Sequence, residues 1–260
     1  MANRLCGYYR NMPAEKTDCY AKFQAYMGGD PWLNTKELSA PFSAKKPAVI
    51  GVQFMGDLFH ESITNEQIAA VFGVMAATPQ HQYVVLTKRP KRALQWFEWM
   101  SAWAKASGIK DYEVRISLAQ LDNLIDRRHH VVYPEWPLPN VIICASVENQ
   151  KAADERMPLL LQIPARWRGV SVEPMLSGIN IGPWLLDEDG LDVDGGWPQN
   201  HDGLDLAICG AETGPGKRNF KDEWALDLRD QCKIAGVPYF FKKDGSGNGS
   251  LCGVEYQEWI

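Results

Sequence analysis

Six short runs of almost unbroken apolar residues set the strongest limit on how this chain folds. They are Ala48–Phe54 (AVIGVQF), Gln82–Thr87 (QYVVLT), Val141–Ala145 (VIICA), Gly169–Val172 (GVSV), Leu204–Cys209 (LDLAIC) and Val237–Phe241 (VPYFF). A strand with one wet face alternates apolar and polar residues. A continuous run belongs to a strand covered on both faces, as in a parallel sheet or barrel. Helical patterns follow several of these runs. Thr64-Asn65-Glu66-Gln67 is a capping box ahead of a helix over Ile68–Ala77, which Pro79 ends. Lys91–Lys105, Lys151–Leu161 and Lys221–Ala235 also carry apolar residues at helical spacing, and Gly236 and Pro238 stop the last of them.

Strand and helix in regular alternation imply right-handed crossovers and a mainly parallel sheet. The spacing predicts a single α/β domain over 1–260, a parallel β/α barrel that is closed or partial, with a doubly wound open sheet as the alternative. Two stretches break the rhythm, at about 107–140 and 187–204, and both read as surface insertions.

Charge and composition exclude several function classes. The net charge is −5, so no overall basic field draws in nucleic acid, although local basic runs remain. No apolar stretch approaches the roughly 20 residues that span a bilayer. Met1-Ala2-Asn3-Arg4-Leu5 leads into no apolar signal region, so the expected location is cytoplasmic, with no membrane partner. Of the six cysteines, Cys144, Cys209 and Cys232 fall in apolar runs or on an apolar helix face and read as core thiols.

In a parallel α/β protein the loops after the strands share one rim and build the site. Here all six are polar or charged. Asp57, His60 and Glu61 follow the first run, and Lys88 and Arg89 the second. Ser146, Glu148 and Asn149 follow the third, and Glu173 the fourth. Glu212-Thr213-Gly214-Pro215-Gly216-Lys217-Arg218 follows the fifth, and Lys242 the sixth. Each loop alone has an ordinary reading, since a polar residue after a strand commonly caps the next helix. Together they predict a pocket. His60, between Asp57 and Glu61, suits acid–base or metal chemistry. The glycine-rich Glu212–Lys217 run offers backbone N–H groups to a phosphate or carboxylate, with Lys217 and Arg218 adding charge, although it lacks both the Walker and the dinucleotide spacing. His129-His130 and the acidic run from Asp187 to Asp194 read as solvated surface, the latter lacking calcium-loop register.

The strand-end segments FMGDLFHE (Phe54–Glu61), AVFGVMAATPQHQYVVLTKRP (Ala70–Pro90), ASVENQ (Ala145–Gln150), VSVEPML (Val170–Leu176), CGAETGPGKR (Cys209–Arg218) and LRDQCKIAGVPYFFKKDG (Leu228–Gly245) resemble the phage gene-product 37/68 family, a family of unknown function. The resemblance runs from about residue 30 to 245. It implies a radical-SAM-like, TIM-barrel-related partial barrel with a three-cysteine signature ending Cys-x-x-Cys-Tyr-Ala. Such a signature implies a [4Fe–4S] cluster and S-adenosylmethionine. Cys19-Tyr20-Ala21 matches the end of that signature, but Lys16 stands where the preceding cysteine belongs, and Cys6 is the only other candidate metal ligand. A second alignment sets Met1–Leu5 on the helix after the signature, which places the cysteines upstream of Met1 in a longer product. Under either alignment this chain lacks three suitably spaced thiols.

Three functions follow as expectations. The first is a radical-SAM-like enzyme, or a descendant without its cluster, acting on a nucleotide or nucleic-acid substrate. Asp57, His60, Glu61, Glu173 and Glu212 would be its catalytic residues. Lys88, Arg89, Lys217, Arg218 and Lys242 would hold anionic groups, with Ser146, Glu148, Asn149, Gly214 and Gly216 completing the binding surface. The second is a cluster-free hydrolase using Glu148, Glu173 and Glu212, or a divalent metal on Asp57, His60 and a glutamate. The third is a binding or regulatory protein on an enzyme scaffold.

Overall fold

A computed structural model describes residues 34–52, 56–125, 135–185 and 203–260. Six strands form one sheet: β1 Val49–Val52, β2 Gln82–Thr87, β3 Val141–Ser146, β4 Trp167–Val172, β5 Leu206–Gly210 and β6 Tyr239–Lys243. Every pairing is parallel and the strand order is the chain order. The sheet curls into a half-barrel in which β1 and β6 do not pair. An open doubly wound sheet needs a reversal of strand order, and this sheet has none, so that alternative is overturned.

Seven helices are described: α1 Thr35–Leu38, α2 Ala40–Ser43, α3 Asn65–Ala77, α4 Pro90–Ser107, α5 Tyr112–Leu124, α6 Gln150–Leu160 and α7 Asp222–Ala235. The capping box at α3 forms as the sequence implies. Gln67 N donates to Thr64 Oγ1 at 3.2 Å, and Thr64 N to Gln67 Oε1 at 2.9 Å. None of the described helices is long and apolar enough to cross a membrane.

Residue parity divides each strand between two apolar layers. Tyr83, Val85, Ile143, Ala145, Val170, Ala207, Cys209 and Phe241 join the helices in the main core. Val84, Ile142, Cys144, Leu206 and Ile208 face the other way and form a separate layer with Leu86, Trp167 and Phe240. This second layer contains no helix residue, so it is the inner face of the half-barrel.

Three corrections to the sequence reading emerge here. The 107–140 stretch is not simply a surface insertion, because α5 lies within it and buries Val114, Ile116, Ser117 and Leu121. α3 is buried continuously from Ile68 to Met75 and on to Ala76, so it needs cover on the side away from the sheet, and α5 supplies it. A Cβ on Gly73 of α3 would sit 2.3 Å from the Ser117 carbonyl oxygen, so the helices meet at a distance only glycine permits. Secondly, the last residues form part of the sheet. Phe241 N donates to Tyr256 O at 2.8 Å, and Phe240 bridges Gln257 in antiparallel sense. Trp259 and Ile260 then cover the inner face at its N-terminal end, with Trp259 Nε1 donating to Gln82 Oε1 at 2.5 Å. Thirdly, the strand limits shift by about two residues in β5 and β6, whose first residues lie above the leading apolar positions. Cys6, Lys16, Cys19, His129-His130 and the acidic run lie outside the described residues.

Candidate functional site

The parallel order sends every strand's C-terminal end to one edge, and the inner face changes chemistry as it approaches that edge. On β2 the inward positions run Val84, Leu86, then Lys88. On β3 they run Ile142, Cys144, Ser146, then Glu148. On β4 Gly169 and Ser171 lead to Glu173, and on β6 Phe240 leads to Lys242. Apolar residues fill the floor, buried serines form a step (Ser171 is 1% exposed), and charges crown the rim.

Asp57 anchors the β1–β2 side. Its side chain is 8% exposed and receives four hydrogen bonds. Phe59 N at 2.9 Å and the Thr87 hydroxyl at 2.8 Å donate to Oδ1, and Lys88 N at 2.9 Å and Arg89 Nη1 at 3.1 Å donate to Oδ2. Such a carboxylate is saturated, so it fixes the β2 loop and has no lone pair left for a metal. Arg89 Nε continues to Glu61 at 3.2 Å. Glu61 is held below the usual carboxylate range, first by its own backbone hydrogen bond and, against an opposing burial effect, by Arg89 and His60. His60 Nδ1 accepts from Ser62 N at 3.2 Å, and Nε2 lies 3.8 Å from Glu61. The imidazole is therefore oriented within its own loop.

Glu148 joins β2 to β3. Lys88 Nζ reaches its Oε1 at 3.1 Å and Arg156 Nη1 its Oε2 at 3.0 Å. Burial opposes the charged form, but the Lys88 hydrogen bond and the Arg156 and Lys88 charges outweigh it and hold the carboxyl low. Arg156 also donates to the Ser146 carbonyl at 2.5 Å. Asn149 caps α6, accepting from Ala152 N at 3.0 Å, so the position expected on the binding surface is a helix cap.

Glu173 stands over β5. A Cβ on Gly210 would come 2.7 Å from Glu173 Oε1, so glycine leaves the room the carboxylate occupies. Lys242 Nζ lies 3.3 Å from both Glu173 oxygens, and the Ser171 hydroxyl lies 3.4 Å from Oε2. Glu212 grips Arg218 with bonds of 2.8 and 3.2 Å and accepts from Arg218 N at 3.0 Å. Those Arg218 hydrogen bonds hold Glu212 low, and Glu212 in turn raises Arg218. Gly214 and Gly216 take left-handed φ values of 105° and 77°.

The structure thus brings the loops carrying Asp57, His60, Glu61, Lys88, Arg89, Ser146, Glu148, Glu173, Glu212, Gly214, Gly216, Lys217, Arg218 and Lys242 to one edge. Two participants escaped the sequence reading. Arg156 sits on α6 rather than in a loop, and its only signal was the eight-residue spacing from Glu148, two helical turns. Lys243, the last residue of β6, reaches the Thr213 hydroxyl of the β5 loop at 3.3 Å. Among the described residues, no three His, Cys, Asp or Glu side chains are grouped to hold a metal ion. Burial pushes the Cys144, Cys209 and Cys232 thiols up to about 12, the opposite of what a thiolate ligand needs. Cys252 is exposed and free.

The profile of one protein family, described as a protein of unknown function (DUF5131), matches residues 2–254. No curated protein and no solved structure matches the chain.

Proposed function

The chain belongs to the DUF5131 family of proteins of unknown function, and from that premise we propose that it is a β/α half-barrel enzyme whose strand-end rim takes an anionic, nucleotide-like small molecule. One observation carries this reading. Charged side chains from all six strand-end loops meet along one edge, above an inner face whose upper wall includes the half-buried Leu86 and Phe240. A ligand with a flat apolar part and a charged part suits that gradient. Glu173 and Lys242 form the working pair: Lys242 supplies a cation or a proton, and Glu173 accepts one at the same point.

The radical-SAM-like partial barrel and the phage gene-product 37/68 family are the more specific version of this proposal. Six parallel strands curled into a half-barrel support it. The described thiols do not fit a [4Fe–4S] cluster, being buried in the core with raised pKa values or standing alone, so no step is derived through that group. The hydrolase version is weaker on its own chemistry. A glycosidase needs one carboxyl raised to act as general acid, whereas Glu148 and Glu212 are both held low.

Calorimetric titration of a nucleoside monophosphate into the full chain and into Glu173→Gln tests the proposal. Binding to the native chain that weakens about tenfold or more in the variant, as loss of a charge-assisted contact implies, is the expected result. Equal affinity in both would remove Glu173 from the site. Anaerobic reconstitution with iron and sulfide separates the specific version, since a chain that retains neither ion excludes a cluster on this polypeptide.

A further inference from the structure

Most rim cations already face a carboxylate. Arg89 meets Asp57 and Glu61, Lys88 and Arg156 meet Glu148, Arg218 is gripped by Glu212, and Lys242 sits on Glu173. Two lysines at the β5–β6 corner are different. Lys217 Nζ donates to the Gly245 carbonyl oxygen, and Lys243 Nζ lies 3.3 Å from the Thr213 hydroxyl. Neither oxygen bears a formal charge, so neither ammonium is neutralised by its partner. The nearest carboxylate in sequence, Asp244, is turned into its own loop. It accepts from Ser246 N at 2.7 Å, Asn248 N at 2.9 Å and Asn248 Nδ2 at 3.1 Å.

The two contacts run in opposite directions across the corner. Lys217 of the β5 loop reaches the β6 loop, and Lys243 of β6 reaches the β5 loop. Ala211 N donates to Lys243 O at 2.9 Å beside a register shift at Cys209/Gly210, which fixes the corner's geometry. Between the lysines, Gly214 and Gly216 leave the backbone bare: a Cβ on either would meet nothing within 4 Å. Their positive φ values favour glycine. Two unneutralised ammonium groups flanking bare, left-handed backbone are what a phosphate group binds.

We propose that this corner is a phosphate subsite, formed by Lys217, Lys243, Thr213 and the main chain of Gly214–Gly216, for the anionic end of the rim ligand. The inference rests on the reading of the rim as a ligand site, and it moves the anion contact from Arg218 to Lys243. Arg218 is occupied by Glu212 and holds the loop's shape, so it serves as a positioning residue.

Competitive lysine acetylation of the full chain, read by mass spectrometry, tests the corner directly. Inorganic pyrophosphate is the probe, and chloride at equal ionic strength is the control. Slowing of acetylation by several-fold at Lys217 and Lys243, with Lys45 and Lys110 unchanged, is expected. Equal rates at Lys217 and Lys243 with and without pyrophosphate would overturn the subsite, and so would uniform slowing of all four. A second measurement compares a nucleoside with its monophosphate by calorimetry in the native chain and in Lys217→Ala/Lys243→Ala. The native chain should prefer the monophosphate by about tenfold, and the double variant should lose that preference. A preference kept by the double variant overturns the subsite while leaving the rim reading intact. Pyrophosphate protection without any nucleoside or nucleotide binding supports the corner and removes the nucleotide reading.

Discussion

The rim has two halves built from the same kinds of residue to opposite ends. On the β1–β3 side, Asp57 is 8% exposed and receives four donors, and Glu148 is clamped between Lys88 and Arg156. On the β4–β6 side, Glu173 meets a single ammonium and a distant hydroxyl, the half-buried Glu212 is held by Arg218 alone, and among the described residues Lys217 and Lys243 have only neutral partners. A carboxylate with all its lone pairs filled in a dry place is a structural clamp, because removing it strands its donors. A carboxylate with fewer donors, such as Glu173, costs less to alter, and donor count rather than exposure marks it off, since its side chain is 17% exposed against 20% for Glu148. On the reading proposed above, the first kind holds the half-barrel's mouth in shape and the second is placed for a ligand.

If the halves differ in this way, stability and binding should rank the rim residues in opposite order. Asp57→Asn gives the largest stability loss, about 3 kcal/mol in chemical denaturation, because it replaces a saturated buried carboxylate with a group that repels some of its donors. A loss under about 1 kcal/mol would show that the first half is no clamp. Glu148→Gln comes next, at about 1–2 kcal/mol near neutral pH. Its carboxyl is held below its ordinary value of 4.5, so its contribution is complete above that value and fades as pH falls through the lowered one. The gap between native and Glu148→Gln proteins should therefore stay constant from pH 7 to about 5 and close in more acidic solution. A gap that widens with acid would mean the Lys88 and Arg156 contacts do not hold the charge. Glu173→Gln should change stability by less than about 1 kcal/mol, since it has one ion pair at 3.3 Å, yet it should weaken ligand binding most. Smallest of all, Glu212→Gln should leave the melting temperature unchanged. By releasing the Arg218 grip that shapes the Gly214–Lys217 loop it should weaken pyrophosphate binding several-fold, and unchanged binding would show that the grip does not shape the subsite.

Much of this was legible in the sequence. The apolar runs placed all six strands, and the parallel pattern they implied was enough to send Asp57, Glu173 and Glu212 to a common edge. What could not be read was which charges neutralise one another. Lys88 and Glu148 are 60 residues apart and Asp57 and Arg89 are 32 apart, and no local pattern couples them. Lys88, Arg89 and Arg218 therefore look like bare cations in the sequence, whereas each faces a carboxylate in the structure. The cap role of Asn149 was legible, because a polar side chain followed three residues later by a buried helical N–H is the ordinary pattern of a cap. α5 escaped because its polar residues masked a face that only the neighbouring α3 makes apolar in effect. The C-terminal segment escaped because a short antiparallel return beside a parallel sheet leaves no periodicity to detect.

On the proposed reading, the C-terminal edge, and its β4–β6 half in particular, receives a ligand. Titrating a nucleoside monophosphate into isotope-labelled protein and following backbone amide resonances tests it most directly. Shifts clustered at Glu173, at Gly210–Arg218 and at Lys242–Asn248, with the Asp57 and Thr87 amides nearly still, are the expected result. Shifts at the opposite edge, around His81, Asn140 and Trp259, or none at millimolar ligand, would contradict it.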